Sequence, residues 1–100
     1  MDKKLFEGVI TPMVTPLIDR ENIDIKGLEK LLDHLINGGV SGIFLMGTTG
    51  EGTSISLRMR KELIKYSVAY VNGRVPVFAS IADCCIEESL NMACYAKECG

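Results

Sequence analysis

The feature that most constrains the fold of this chain is a unit that occurs three times. Each unit is a short apolar run followed by a longer segment with apolar residues at the i, i+3, i+4 and i+7 spacing of an amphipathic helix. Glycine steps end the helical segments, as expected of helix stop signals. We therefore predict three strand–helix pairs, with strands at residues 9–14, 42–46 and 75–81 and helices at residues 25–36, 55–71 and 86–99.

The apolar runs are unbroken rather than alternating, which is typical of strands buried on both faces of a sheet. Since a helix separates each strand from the next, the strands are predicted to be parallel. Repeated strand–helix units fit either a (β/α)8 barrel or a doubly wound sheet, and their periodicity does not distinguish the two. Pro12 is awkward here because proline cannot donate to a strand ladder, so it predicts a bulge or a first strand shorter than residues 9–14.

The second strand runs into a loop of glycines and hydroxyls, residues 47–52, with the sequence Gly-Thr-Thr-Gly-Glu-Gly. Glycines allow sharp turns and the close approach of a ligand. Successive N–H groups, together with the hydroxyls of Thr48 and Thr49, can donate toward one anion. The loop therefore predicts a carboxylate or phosphate site, and the alternative is that it serves only as a tight strand-to-helix turn.

Charge and hydropathy exclude several classes of function. The formal net charge is −2 and the basic residues are scattered without interleaved aromatics, so a nucleic-acid partner is not expected. No apolar run approaches the ~20 residues that cross a bilayer, which excludes a membrane-spanning role. The beginning of the chain lacks the apolar core of a secretion signal, so we expect a cytoplasmic protein.

The four cysteines are Cys84, Cys85, Cys94 and Cys99, and none belongs to a Cys-x-x-Cys pair of the kind that binds zinc. We therefore predict no metal site. We interpret the cysteines as reduced and mostly buried thiols, since free cysteine behaves as a small hydrophobic residue. A reactive thiol at Cys84 or Cys85 is the alternative, because both follow a predicted strand.

Four short motifs, in order along the chain, resemble the dihydrodipicolinate synthase and N-acetylneuraminate lyase family. They are Gly8-Val9-Ile10, Val14-Thr15-Pro16, Gly47-Thr48-Thr49-Gly50-Glu51 and Arg74-Val75-Pro76-Val77. The resemblance covers essentially the whole chain. It implies a (β/α)8 TIM barrel that condenses or cleaves 2-oxo acids through a Schiff base between a lysine and pyruvate, without a cofactor and as a homo-oligomer, either a tetramer or a dimer.

A barrel of this kind needs about 250 residues, whereas this chain supplies three of the eight strand–helix units. We therefore expect residues 1–100 to be the N-terminal part of a single, apparently truncated barrel domain. The family's Schiff-base lysine and catalytic tyrosine would lie beyond Gly100. The lysines of the predicted helices are expected to be solvated surface residues. They are Lys26, Lys30, Lys61, Lys65 and Lys97.

The resemblance also implies roles for residues of the glycine-rich loop. Thr49 would hold the pyruvate carboxylate with its hydroxyl and backbone N–H, and Gly50 would join it in binding substrate. Thr48 would bind substrate and, as a catalytic residue, pass protons between tyrosines, because a hydroxyl can accept a proton while donating another. We expect Glu51 to brace backbone amides or a helix start rather than act as a base, and His34 to be exposed on the first helix.

Three functions stay open at this point. The first is a synthase that condenses pyruvate with aspartate semialdehyde, which is the dihydrodipicolinate synthase (4-hydroxy-tetrahydrodipicolinate synthase) reaction of lysine biosynthesis. The second is an N-acetylneuraminate lyase or 2-oxo-3-deoxy sugar acid aldolase of the same family. Residues 79–85 depart from the family's glycine-rich stretch, which favours an atypical substrate. The third is a non-catalytic module that holds a carboxylate or phosphate.

Overall fold

The computed structural model describes residues 8–83 and 85–100. Within these ranges the chain alternates three strands and three helices in the predicted order. The strands are β1 (Ile10–Pro12), β2 (Gly42–Leu45) and β3 (Val77–Ala79), and the helices are α1 (Ile25–Asn37), α2 (Leu57–Val71) and α3 (Ile86–Cys99). Cys84, one of the two candidate reactive thiols, lies outside the described residues.

The three strands form one parallel sheet in the order β1-β2-β3. Ile10 pairs with Gly42, and Ile43 pairs with Val77. Because the strands are parallel, their C-terminal ends all emerge at one edge of the sheet. The prediction of a parallel α/β arrangement is confirmed, and the loops that follow β1, β2 and β3 share that edge.

All three strands are shorter than predicted, and only β2 is largely buried. Within residues 8–83 and 85–100, β1 and β3 each pair with β2 and with no other strand, so they are the edges of the sheet that these residues form. Val9, Val14 and Ile81, which flank these edge strands, are exposed for this reason. The prediction of burial on both faces is therefore correct for β2 and wrong for its two neighbours.

Pro12 ends β1 within a regular register. The N–H of Met13 donates to the carbonyl oxygen of Phe44 at 3.0 Å, so the nitrogen of the preceding residue faces the opposite edge, away from β2. The missing N–H of Pro12 thus removes no hydrogen bond from the ladder between β1 and β2. Of the two alternatives that the sequence offers, the shorter strand is correct.

Side-chain caps set the starts of α1 and α2. The carboxylate of Asp24 accepts a hydrogen bond from the N–H of Gly27 at 3.0 Å. The hydroxyl of Ser56 accepts one from the N–H of Met59 at 3.2 Å. Because Ser56 caps α2, this helix begins later than predicted, although Ile55 is still buried in the core.

The core lies between the sheet and helices α1 and α2, and α3 packs against α2. Its fully buried apolar side chains come mainly from β2 and these helices; among them are Leu28, Leu32, Ile43, Leu45, Met59, Leu63, Ile64, Val71 and Met92. His34 is exposed, as predicted, and so are all of the helical lysines except Lys61. Lys61 is half-buried, and its ammonium group lies 5.4 Å from the ring centre of Tyr95.

The cysteines depart from the prediction. Cys85 and Cys94 are exposed, Cys99 is half-buried, and all three are free thiols. Their predicted burial is wrong because α3 turns only one side toward the core, the side that carries Met92. Cys94 instead shares the exposed side of α3 with Leu90.

A side-chain network joins α1 to the end of α2. The Tyr70 hydroxyl donates to Oδ2 of Asp33 at 2.5 Å, and Nη1 of Arg74 donates to Oδ1 at 3.1 Å. The hydrogen bond from Tyr70, and then the one from Arg74, lower the pKa of Asp33, while the same Tyr70–Asp33 bond raises the pKa of Tyr70. Since Arg74 precedes β3, the network lies away from the loops at the C-terminal edge.

Candidate functional site

The glycine-rich loop, residues 47–52, leaves β2 at the C-terminal edge of the sheet. The N–H of Glu51 donates to the carbonyl oxygen of Thr48 at 3.1 Å, and the N–H of Gly52 donates to that of Gly47 at 3.3 Å. Met46 and Glu51 adopt φ angles of 60° and 56°, a left-handed conformation that is uncommon outside glycine. The internal hydrogen bonds hold the loop in this turn-rich shape.

Gly50 and Gly52 are buried, and neighbouring backbone approaches both of them closely. A Cβ atom on Gly50 would lie 2.7 Å from the carbonyl oxygen of Met13. A Cβ atom on Gly52 would overlap the carbonyl oxygen of Met46. Only glycine fits at either position without a shift of backbone, so the loop packs tightly against the ends of β1 and β2.

Thr48 and Thr49 are exposed at the turn of the loop. Their N–H groups donate to no acceptor within residues 8–83 and 85–100, whereas those of Glu51 and Gly52 are used inside the loop. The loop therefore presents two consecutive N–H donors and two hydroxyls to solvent. Consecutive backbone donors of this kind are a common way for proteins to bind an anion.

A cavity of about 430 Å³ opens beside the loop, at the C-terminal ends of β2 and β3. Thr48 lines this cavity, but Thr49 is not among its lining residues, so the predicted pair is divided between the cavity wall and the adjacent surface. Phe44 and Met46 supply apolar wall. The other polar lining residues are Glu51, Thr53, Ser54 and Ser80.

Thr15 is a residue of this region that the sequence does not reveal. It is only 7% exposed, and its hydroxyl donates to the carbonyl oxygen of Gly50 at 2.5 Å. Gly50 is thus tied to the loop that follows β1, and because it is buried and has no side chain, only its backbone could contact a substrate. The motif Val14-Thr15-Pro16 does indicate that Thr15 has a restricted, extended backbone, because proline limits the residue before it. It does not indicate that the Thr15 hydroxyl bonds to Gly50.

Replacing Thr15 by valine should lower the free energy of unfolding by about 1–3 kcal/mol, because the buried Gly50 carbonyl loses its donor while the side-chain shape is kept. Thr15→Ser should recover most of this loss. The midpoint of urea unfolding of the complete protein measures both effects. Thr11→Val in β1 is the control, since the Thr11 hydroxyl makes no hydrogen bond in the described part of the chain; an equal loss there would contradict the assignment.

Glu51 contributes through its backbone. Its N–H donates to Thr48, and its carbonyl oxygen accepts from the N–H of Ser54 at 2.9 Å. Its carboxylate is exposed at the cavity and makes no hydrogen bond with residues that the structure describes. The expectation that this carboxylate braces backbone amides is therefore wrong, because the positive φ of Glu51 lets the main chain close the turn by itself.

Residues 80–83, which we call the β3 exit segment, supply another wall of the cavity through Ser80 and Ala82. Asp83 forms an ion pair with Arg60 of α2, with Nη2 and Oδ2 2.9 Å apart. This pair is a second feature that the sequence does not reveal, because its members lie on different elements. It fixes the exit segment to the first turn of α2.

The tyrosines of the helices lie away from the cavity. Tyr66, Tyr70 and Tyr95 lie on α2 and α3, and none of them lines it. Within residues 8–83 and 85–100, no group of three or more His, Cys, Asp or Glu side chains could hold a metal ion. None of the helices in these ranges combines the length and the apolar character needed to cross a bilayer.

The sequence matches known proteins over nearly its full length. The profile of the dihydrodipicolinate synthetase family matches residues 5–100. The 4-hydroxy-tetrahydrodipicolinate synthase of Magnetococcus marinus is 42% identical over 96 residues, which cover 96% of this chain and 32% of that protein. The chain thus spans about a third of the length of the curated relatives that it matches.

Solved structures agree with this similarity. Dihydrodipicolinate synthase from Bacteroides thetaiotaomicron is 47% identical with a TM-score of 0.91, covering 93% of this chain and 31% of that chain. YagE, a prophage protein of the dihydrodipicolinic acid synthase family from E. coli K12 solved in complex with pyruvate, is 30% identical with a TM-score of 0.92, covering 96% and 32%. N-acetylneuraminate lyase from Mycoplasma synoviae is 32% identical with a TM-score of 0.88, covering 98% and 34%.

Proposed function

We propose that this chain, which belongs to the dihydrodipicolinate synthetase family, is the N-terminal part of an enzyme that makes or breaks carbon–carbon bonds through a Schiff base between a lysine and pyruvate. The parallel order β1-β2-β3, with a helix after each strand, supports a (β/α)8 barrel of which these are the first three units. The share of about a third that the chain covers in its relatives agrees with a single larger barrel domain.

The favoured reaction is the condensation of pyruvate with aspartate semialdehyde, catalysed by 4-hydroxy-tetrahydrodipicolinate synthase. Support comes from the curated relatives with that name, whose identity to this chain ranges from 33% to 47%. The pyruvate complex of YagE supports pyruvate as the first substrate. The cavity is lined by residues of two of the eight proposed units, so the remainder of the barrel would supply the other contacts to the aldehyde.

One observation carries the proposal at the site. Thr48 lies on the wall of a cavity at the C-terminal edge of a parallel sheet, next to Thr49, and both have N–H groups that are free to donate. In parallel α/β folds ligands bind at this edge. We assign the carboxylate of pyruvate to the N–H groups of Thr48 and Thr49 and the hydroxyl of Thr49, with the backbone of Gly50 completing the cradle, and we assign the Thr48 hydroxyl to proton transfer.

Holding the carboxylate would align the substrate for attack. With its anionic end fixed, the keto carbon of pyruvate presents one face to the amine of a lysine from the remainder of the barrel. The amine nitrogen then bonds to that carbon and the keto oxygen leaves as water, which yields a cationic imine that can act as an electron sink. The hydroxyl of Thr48 would accept one proton and donate another during these transfers.

Borohydride reduction of the complete protein in the presence of pyruvate tests the mechanism. The expected product is a stable secondary amine that raises the mass of each chain by one 1-carboxyethyl group, located on a lysine by peptide mapping. Protein treated with borohydride alone is the control and should keep its mass. An active enzyme that forms no adduct would exclude the imine mechanism, and a protein without adduct or turnover would favour the non-catalytic carboxylate-binding module.

A second candidate function is cleavage of N-acetylneuraminate or of a 2-oxo-3-deoxy sugar acid. The observation that favours it is the likeness to the Mycoplasma synoviae lyase, whose TM-score of 0.88 is above the 0.85 of two of the synthase structures. Both functions would give the pyruvate adduct. Turnover with aspartate semialdehyde, compared with release of pyruvate from each sugar acid, separates them.

A further inference from the structure

We propose that the ion pair between Arg60 and Asp83 positions the β3 exit segment, residues 80–83, as the cavity wall that receives the acceptor aldehyde. The inference rests on the proposed function, because it assigns a role within that same site. It makes Arg60 and Asp83 positioning residues. They act through Ser80 and Ala82 rather than by touching the reacting atoms.

The pair is well formed and largely withdrawn from solvent. Nη2 of Arg60 lies 2.9 Å from Oδ2 of Asp83, and the two side chains are 11% and 19% exposed. Nη1 of Arg60 also donates to the carbonyl oxygen of Ala82 at 3.4 Å. The planar guanidinium thus holds two successive residues of the exit segment at once, which the single ammonium group of a lysine would do less well.

Asp83 extends this restraint to the start of α3. Its second oxygen, Oδ1, accepts a hydrogen bond from the N–H of Cys85 at 2.9 Å. On the other side, the N–H of Ser80 donates to the carbonyl oxygen of Leu45 at 3.0 Å, and the hydroxyl of Ser80 accepts from the N–H of Ala82 at 3.2 Å. The exit segment is therefore fixed to β2 at one end, to α3 at the other and to α2 through Arg60.

The charges of the pair have a second consequence. Because Arg60 neutralises Asp83, the pair adds no net charge beside a cavity whose wall already carries the carboxylate of Glu51, and an unpaired Asp83 would increase the repulsion of a substrate that itself carries carboxylates. Nε of Arg60 is buried and has no hydrogen-bond partner in the described part of the chain, so the two Nη contacts and the charge of Asp83 hold the guanidinium. Removing either charge would leave the other, which is only slightly exposed, without its opposite charge, and the segment would rearrange to expose it to water.

Such a rearrangement would move Ser80 and Ala82, and with them one wall of the cavity. A displacement of about 1 Å in a group that orients substrate can lower a rate about 100-fold. Imine formation with pyruvate should be less affected, because the N–H donors of Thr48 and Thr49 belong to the loop after β2. Loss of the ion pair should therefore slow the reaction with the aldehyde more than it slows imine formation with pyruvate.

The test uses the complete protein with Arg60→Met, which keeps much of the side-chain volume without the charge, and Arg60→Lys, which keeps the charge without the planar fork. We expect Arg60→Met to lower kcat/KM for the aldehyde about 10- to 100-fold, while the borohydride adduct with pyruvate forms to the wild-type extent. Arg60→Lys should recover part of the loss. The matched control is Arg58→Met, because Arg58 pairs with Glu62 on the exposed side of α2, and its kcat/KM should stay near the wild-type value.

Asp83→Asn keeps the inference testable if Arg60→Met does not fold, because the amide retains an oxygen for the N–H of Cys85 and loses the charge and the oxygen that accepts from Arg60. In a double-mutant cycle, the two substitutions together should reduce kcat/KM no further than Arg60→Met alone. The inference is overturned if the Arg60 and Asp83 variants keep the kcat/KM of the Arg58 control, or if the adduct falls in step with kcat/KM. A wild-type protein that forms no adduct would instead overturn the proposed function, and the same experiment reports it.

Discussion

Replacing Thr48 by valine lowers kcat of the complete enzyme by about 100-fold or more, because a general acid–base step of this kind is worth about 100- to 10,000-fold. Valine matches threonine in shape, so the substitution removes the hydroxyl and leaves the N–H of residue 48 in place. KM for pyruvate should therefore change little, and Thr48→Ser should retain most of the activity. Steady-state kinetics with pyruvate and the aldehyde measure all three quantities.

Thr53→Val is the matched control for this substitution. Thr53 is exposed, lines the same cavity and has no proposed part in proton transfer, so its kcat should stay near the wild-type value. Equal losses in the two variants would mean that removal of any hydroxyl disturbs the cavity. Retention of more than about a tenth of the wild-type kcat by Thr48→Val would exclude the relay role.

Gly52→Ala is expected to lower the free energy of unfolding by about 3 kcal/mol, near the upper end of the usual cost of overpacking. The new methyl group would overlap the carbonyl oxygen of Met46, so the main chain itself must move to make room. Movement at Met46 also shifts the end of β2 and the turn that carries Thr48, so activity should fall as well. Urea unfolding of the complete protein, monitored by circular dichroism, measures the loss of stability.

Gly73→Ala separates this steric effect from the general cost of removing a glycine. Gly73 follows α2 with a φ of 78°, and a methyl group there would meet no atom within 4 Å. The expected cost is only the left-handed backbone strain of alanine, about 1–2 kcal/mol, with unchanged kcat. If Gly52→Ala lowered the free energy of unfolding no more than Gly73→Ala does, the loop could accommodate the methyl group, and its tight packing would not contribute to stability.

The helices could be predicted from the sequence because the patterns that indicate them involve residues close together in the chain. The apolar spacing and the stop signals after α1 and α2 predict their positions to within two residues, and the one late start, at α2, follows from the cap at Ser56. Strand ends are different, because they depend on which neighbour a residue meets. The carbonyl oxygen of Pro76 still accepts a hydrogen bond from the N–H of Ile43 in β2, but the paired register begins at Val77, so residues 75 and 76 fall outside the strand although they are apolar like β3.

The candidate site likewise has a part that could be predicted from the sequence and a part that could not. The loop at residues 47–52 could be recognised because glycines and hydroxyls after an apolar run are adjacent in sequence. The contacts that hold it in place could not, because Thr15 reaches Gly50, and Arg60 reaches Asp83, only when separate elements pack together. For the cysteines a local preference gave a wrong prediction. Cysteine is usually buried, but this preference does not say which side of α3 faces the core.

The two edges of the sheet are unequal, and Pro12 is the reason. Its nitrogen faces the outer side of β1, where it interrupts the row of donors that an arriving segment would need. The outer side of β3 contains no proline within Val77–Ala79 and keeps its donors. While the chain is still being synthesised, an extended segment of another nascent chain would therefore pair more readily with the outer side of β3 than with that of β1.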